Sequence, residues 1–221
     1  MLDGAARPTD SVVLERLDAY AATTGFVARL LLDSPDGPLL AALSAPGVLD
    51  EWPVRADQHQ AGLAALAASL AEGAESMREM HDDYRRLFLG PEHVLACPYE
   101  SVYLNEEHLT FGSQTLAVRE WYSRYGLRAP AAGREPDDHI GLELVFVSHL
   151  CMLALDFAER GDDQSVTDTC FALREFLNEH LLLWSDECLD HMLANAQTQF
   201  YQGVGLLTQG ILRGLEQDFA S

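Results

Sequence analysis

The sequence contains no lysine; all 14 of its basic residues are arginine. That excludes a Walker-type phosphate lysine, a Schiff-base lysine and a lysine general base. Isoleucine occurs only at positions 140 and 211, while leucine (36) and alanine (28) dominate the 221 residues. Strong helix formers therefore outweigh β-branched residues, which favours an all-α fold. Positive charge is scarce overall: 14 basic against 35 acidic residues gives a formal charge of −21 and a pI near 4.5. Such a chain repels nucleic acid and anionic lipid headgroups, so neither a nucleic-acid partner nor membrane insertion is expected. The charge suits a cationic partner or a salty cytoplasm, or serves only to keep the protein in solution.

Catalytic and metal motifs are also missing. There is no HExxH, no GxSxG and no CxxC; the four cysteines at 97, 151, 170 and 188 read as free, mostly core thiols. A di-iron bundle needs Glu three residues before His. The residues there are Ala56, Arg78, Gly90, Asn105, Pro136, Phe146, Leu177 and Cys188. Cys188 and His191 share a helix face, but no second pair completes a zinc site. Gly203-Val204-Gly205 lacks the third glycine of a dinucleotide loop, and reads as a close helix contact or a bend. Arg85-Arg86 lies mid-helix and reads as a solvated face beside Asp82 and Asp83. No metal and no cofactor is expected, and nothing resembles a nucleotide site. The N-terminus lacks a basic region followed by an apolar run, so no secretory signal is read and a cytoplasmic protein is expected.

What is present is helical periodicity. Val13, Leu17, Tyr20, Thr24, Val27 and Leu31 mark one face of a helix over about 11–33, with Thr9, Asp10 and Ser11 as capping candidates. Further helices are predicted over 39–43, 61–71, 75–89, 114–125, 137–159, 165–180 and 187–215. Residues 91–112 are the least helical and predict an ordered loop with extended pieces. The segment 128–136 (RAPAAGREP) predicts a hinge between an N-terminal part, 1–127, and a C-terminal part, 137–221, of one domain. The helix after it is apolar on nearly every side, which predicts burial at the centre of the bundle. The expected fold is thus a single all-α bundle of about eight or nine helices, with one structured loop and a hinge.

Two stretches resist a purely structural reading. Glu135, Pro136, Asp137, Asp138 and His139 open the central helix. Proline and acidic residues suit a first helical turn, but a protonated imidazole there does not, and an adjacent acid would raise the pKa of His139. Pro98 to Tyr103 (PYESVY) sets aromatic rings and a carboxylate in the predicted loop; a packed loop is the alternative reading.

Together these stretches resemble the TorD/DmsD family of cytoplasmic redox-enzyme maturation chaperones. Tyr84 to Pro91 (YRRLFLGP) is similar to that family's Y-x-x-L-F-x-G-P, Pro98 to Tyr103 to its P-x-x-S-V-Y, and Glu135 to His139 to its E-P-x-D-H. Phe176, His180, Leu181 and Trp184 resemble F-x-x-x-H-L-x-x-W, and Phe200-Tyr201 an aromatic pair in its last helix. The first 80 residues carry no matching signature. One departure is Tyr99, where several relatives carry tryptophan; tyrosine keeps an aromatic wall, is smaller and adds a hydroxyl.

The resemblance implies a non-enzymatic role. Such chaperones bind the twin-arginine leader and apo catalytic subunit of a molybdopterin oxidoreductase (a DMSO or TMAO reductase, for example). They assist molybdenum cofactor insertion and hold the subunit back from Tat export until then; in the nitrate reductase branch the subunit is not always exported. The resemblance assigns leader binding to Pro98, Tyr99, Ser101, Tyr103, Asp138 and His139, with Glu135, Pro136 and Asp137 in the hinge motif. It also makes a domain-swapped dimer plausible beside a default monomer. The chemistry agrees: a cationic arginine pair and an apolar helix call for carboxylates beside an apolar or aromatic groove. Two rivals stand beside it, an enzyme built on an Asp138–His139 acid–base pair and a helical adaptor for another basic partner.

Overall fold

The computed structural model describes residues 10–53, 57–90, 94–105, 107 and 109–221. Thr9 and Pro91, both used above, lie outside them. The described residues form an all-α domain: α1 (Ser11–Leu32), α2 (Gly37–Leu43), α3 (Asp57–Leu70), α4 (Met77–Tyr84), α5 (Glu100–Leu104), α6 (Ser113–Arg124), α7 (Ile140–Glu159), α8 (Asp163–Phe176), α9 (Leu182–Asn195) and α10 (Gln199–Leu215). Three π-helical turns, Arg85–Leu89, Leu177–Leu181 and Glu216–Ala220, extend α4, α8 and α10.

α7 is the spine. α1, which precedes the hinge, forms the most extensive helix interface of the fold against it, and α8 packs on another side. Gly141 permits the α1 contact, since a Cβ there would stand 2.6 Å from Leu32 Cγ and 3.2 Å from the Ala28 carbonyl oxygen. Ser148 adds a hydrogen bond, its Oγ donating to the Ala21 carbonyl at 2.7 Å. By length and composition α7 could cross a membrane, but more than half of it is buried in the bundle. Its burial is incomplete, however: Val145 and Met152 are 43% and 52% exposed. The expected cover on every side is therefore absent along one stripe.

The second large interface joins α3 to α10. A Cβ on Gly203 would come within 2.8 Å of the Gly62 carbonyl oxygen, so the glycine serves close packing, one of the two roles read from the sequence.

The predicted helix over 187–215 is in fact two helices. Asp83, buried in α4, accepts from the backbone N–H groups of Gln197 (2.9 Å) and Thr198 (2.8 Å) and from the Thr198 hydroxyl (2.8 Å). Thr198 in turn caps α10 by accepting from the Tyr201 N–H. These bonds satisfy donors that an unbroken helix would use internally, so the chain turns at Ala196. Arg86 pairs with the same Asp83 and donates to the Asn195 carbonyl. That corrects the reading of Asp83 and Arg86 as a solvated face: Asp83 is buried and Arg86 half-buried, whereas Asp82 and Arg85 are exposed as read. The loop expected over 91–112 contains α5, a helix of five residues, and among its described residues the extended character reduces to one antiparallel bridge. All four cysteines are free.

Candidate functional site

The bridge joins the two stretches singled out in the sequence. Tyr99 pairs with His139; the Ile140 N–H donates to the Pro98 carbonyl at 2.8 Å, and the Glu100 N–H to the Asp138 carbonyl at 3.0 Å. The Tyr99 and His139 rings meet edge to face with centroids 5.2 Å apart. They form one wall of a cleft of about 430 Å³, with Pro98 beside them. Tyr84, Phe88 and Leu142 provide further apolar lining, and the hinge residues Ala129–Ala131 close one side. Asp33, just past α1, and Glu135 set carboxylates into the lining. Asp33 lies 3.7 Å from Arg29 and its side chain is 77% exposed, so it stays open to an incoming cation.

Each wall has a local cause. The Tyr84 hydroxyl donates to the Leu32 carbonyl at 2.7 Å, one of the orphan acceptors at the end of α1, and so ties α4 to α1 across the cleft. Burial and the nearby Asp33 push its pKa up to about 12. Burial and Glu135 do the same to Tyr99, also to about 12, so both phenols stay neutral. Phe88 and the exposed Leu89 sit on the π-turn after α4, a distortion often found at functional sites.

His139 is the N-cap of α7. Its Nδ1 accepts from the Gly141 N–H at 3.0 Å, which requires a neutral ring with its proton on Nε2. Burial pushes its pKa down to about 4, against the opposing pull of Asp138. An imidazole at this helix start is therefore stable because it is neutral. Asp138 does not face the cleft. It is fully buried, and its Oδ2 accepts from the Ser101 N–H and its Oδ1 from the Thr115 hydroxyl, both at 2.7 Å. Asp138 and His139 are thus committed to different partners, which removes the acid–base pair of the enzyme reading.

The structure divides the six predicted binding residues. Pro98, Tyr99 and His139 line the cleft, while Ser101 and Asp138 form the clamp beneath it. Tyr103 lies elsewhere, its ring against Trp184 at 5.3 Å and His191 at 6.1 Å. In the hinge motif, Glu135 and Pro136 line the cleft, whereas Asp137 is buried and held by Arg119, whose Nε donates at 2.9 Å. Asp33, Tyr84, Phe88 and Leu142 were not predicted as site residues. Tyr84 and Phe88 did stand in a noted motif; Asp33 carried no signal beyond ending a helix.

The nitrate reductase delta subunit family model matches residues 55–190. The Tat proofreading chaperone DmsD of Salmonella typhi is 31% identical over 196 residues, spanning 87% of this chain and 86% of the relative. The chaperone protein TorD of Aliivibrio fischeri is 30% identical over 161 residues, 72% of this chain and 73% of its own. This chain belongs to the TorD/DmsD family. It is a redox-enzyme maturation chaperone rather than an enzyme.

The TorD/DmsD motifs also explain a buried acidic group behind the cleft. Glu100, Asp138 and Glu143 are all fully buried. His180, carried on the π-turn after α8, places Nδ1 3.0 Å from Glu100 Oε2, and Trp184 Nε1 donates to Glu143 Oε2 at 3.4 Å. Burial, then the charges of Glu100 and Asp138, push the Glu143 pKa well up, which favours its protonated form. The histidine and tryptophan of the F-x-x-x-H-L-x-x-W stretch thus serve to fix α5 and α7. Among the described residues, no three His, Cys, Asp or Glu side chains converge as metal ligands.

Proposed function

We propose that this chaperone binds the twin-arginine leader of a molybdopterin oxidoreductase catalytic subunit at the cleft between α1, α4 and the start of α7. It holds the apo subunit until its molybdenum cofactor is inserted, and so delays Tat export. The observation that carries this reading is one cleft offering both halves of the required chemistry. Tyr84, Phe88, Tyr99 and Leu142 supply apolar and aromatic walls, and Asp33 and Glu135 supply carboxylates. Carboxylates take a guanidinium with two parallel hydrogen bonds, and an aromatic face accepts its plane. In this reading Pro98, Tyr99 and His139 touch the leader, while Ser101 and Asp138 hold the loop that presents Tyr99. The net charge of −21 speeds the encounter with a cationic peptide.

Calorimetry with a leader peptide and two truncations tests the proposal. Removal of the apolar tail is expected to cost more than removal of the arginines, because exposed ion pairs contribute only about 0–1 kcal/mol each. Equal or reversed losses would mean that charge dominates recognition, and no binding of the intact leader would overturn the reading. The nitrate reductase delta subunit description of the matching family favours a second client, a nitrate reductase-type subunit that is not exported. Mass spectrometry of the subunit retained in a pull-down separates the two. Retention of an unrelated basic protein would instead favour a general adaptor.

A further inference from the structure

The exposed stripe of α7 has a definite shape. Leu142, Val145, His149 and Met152 recur at steps of three, four and three, so they lie in one line along the helix. Val145 and Met152 are exposed, and Leu142 and His149 are half-buried. At 1.5 Å per residue the line is about 15 Å long. It is flanked on both sides. On one side Gly141 and Ser148 pack against α1; on the other the Tyr125 ring stands 5.4 Å from Phe146 and 6.4 Å from His149. Burial keeps the His149 ring toward its neutral form. The next position along the line is Asp156, ion-paired with Arg160, so charge returns where the stripe ends.

The stripe begins inside the cleft, because Leu142 belongs to both. We infer that the apolar segment following the arginine pair of the leader docks on this stripe as a helix, while the arginines occupy the cleft beside Asp33 and Glu135. This rests on the leader-binding proposal and extends it. A single ligand with a cationic end and an apolar run of about ten residues matches both surfaces in order and in length. A second copy of this chain does not, since it would bring another formal charge of −21 to a rim that is already acidic.

The test uses a synthetic peptide with an arginine pair followed by ten alanine and leucine residues, and the same peptide ending four residues after the pair. Val145→Gln with Met152→Gln changes only exposed positions and should leave the fold intact. The double variant is expected to bind the long peptide about tenfold more weakly than the unmodified protein, and the short peptide equally. Tyr99→Ala, in the cleft, should weaken both. If the double variant binds the long peptide normally while Tyr99→Ala does not, the stripe is not the tail site and the cleft reading stands. If neither variant weakens binding, both readings fall. If light scattering finds a dimer that the double variant abolishes, the stripe is a self-association surface and the inference is wrong.

Discussion

Asp138 holds Ser101: its Oδ2 accepts the Ser101 backbone N–H at 2.7 Å, between two residues 37 apart in sequence and both fully buried. With the Thr115 hydroxyl on Oδ1, this carboxylate joins the starts of α5, α6 and α7 at one point. The aspartate of E-P-x-D-H and the serine of P-x-x-S-V-Y therefore act on the cleft from below, by fixing where Tyr99 and His139 stand.

A prediction follows for Asp138. Asparagine can accept from Ser101 and donate to the Thr115 oxygen, so Asp138→Asn should cost only about 1 kcal/mol. Alanine leaves the Ser101 N–H buried and unpaired, so Asp138→Ala should cost about 3 kcal/mol and weaken leader binding by displacing the loop. Urea unfolding and peptide titration of both variants check this. A loss of affinity in Asp138→Asn as large as in Asp138→Ala would mean that the charge itself is read.

His139 predicts an acid limit. Its folded pKa, about 4, lies below the ordinary value of 6.5. The unfolded chain then binds more protons between those values, and stability present above pH 6.5 is lost as the pH falls toward 4. Asparagine also caps helices well, so His139→Asn should lose about 2 kcal/mol less than the unmodified protein between pH 7 and pH 5. Urea midpoints at the two pH values measure it, and parallel curves would show that the ring titrates normally.

Glu143 has the opposite sign. Its folded pKa is raised above 4.5, so its contribution is complete below pH 4.5 and is lost as the pH rises through the folded value. Glu143→Gln keeps the shape of the neutral form and can still accept from Trp184. The variant should exceed the unmodified protein in stability at pH 8, with the gap closing toward pH 4.5. A gap independent of pH would place Glu143 in its charged form.

Much of this architecture was legible in sequence because it repeats. Leu17, Tyr20, Val27 and Leu31 recur at helical spacing, and all are buried in α1. Pro98 to Tyr103 and Glu135 to His139 stood out by composition, and the structure pairs them across the Tyr99–His139 bridge. What stayed hidden depends on contacts distant in sequence. The break at Ala196 comes from Asp83, about 115 residues earlier. Asp33 enters the cleft only because α1 ends against α7 at Gly141. The open stripe of α7 was invisible for the same reason, since periodicity counts apolar residues but does not say which of them other helices reach.

The segment 128–136 yields the last prediction. It is a closed turn: the Ala132 N–H donates to the Ala129 carbonyl at 3.2 Å, and the Glu135 N–H to the Ala131 carbonyl at 3.1 Å. Gly133, at φ +83°, makes the reversal that other residues resist. The turn carries the chain between α6 and α7, and α7 is covered from both sides of it, by α1 before and α8 after. If it straightens, α7 of one chain can take the same cover from α1 of another, which is the geometry of a domain-swapped dimer. We propose that the monomer is the default and that the swap is reachable. Exchange should be slow, because α7 must first lose its packing against α1. Deleting residues 129–133 removes the turn and strains the closed form, so the dimer fraction should rise. Size-exclusion chromatography with light scattering on both proteins checks this. A deletion variant that stays wholly monomeric and equally stable would make the segment an ordinary surface loop.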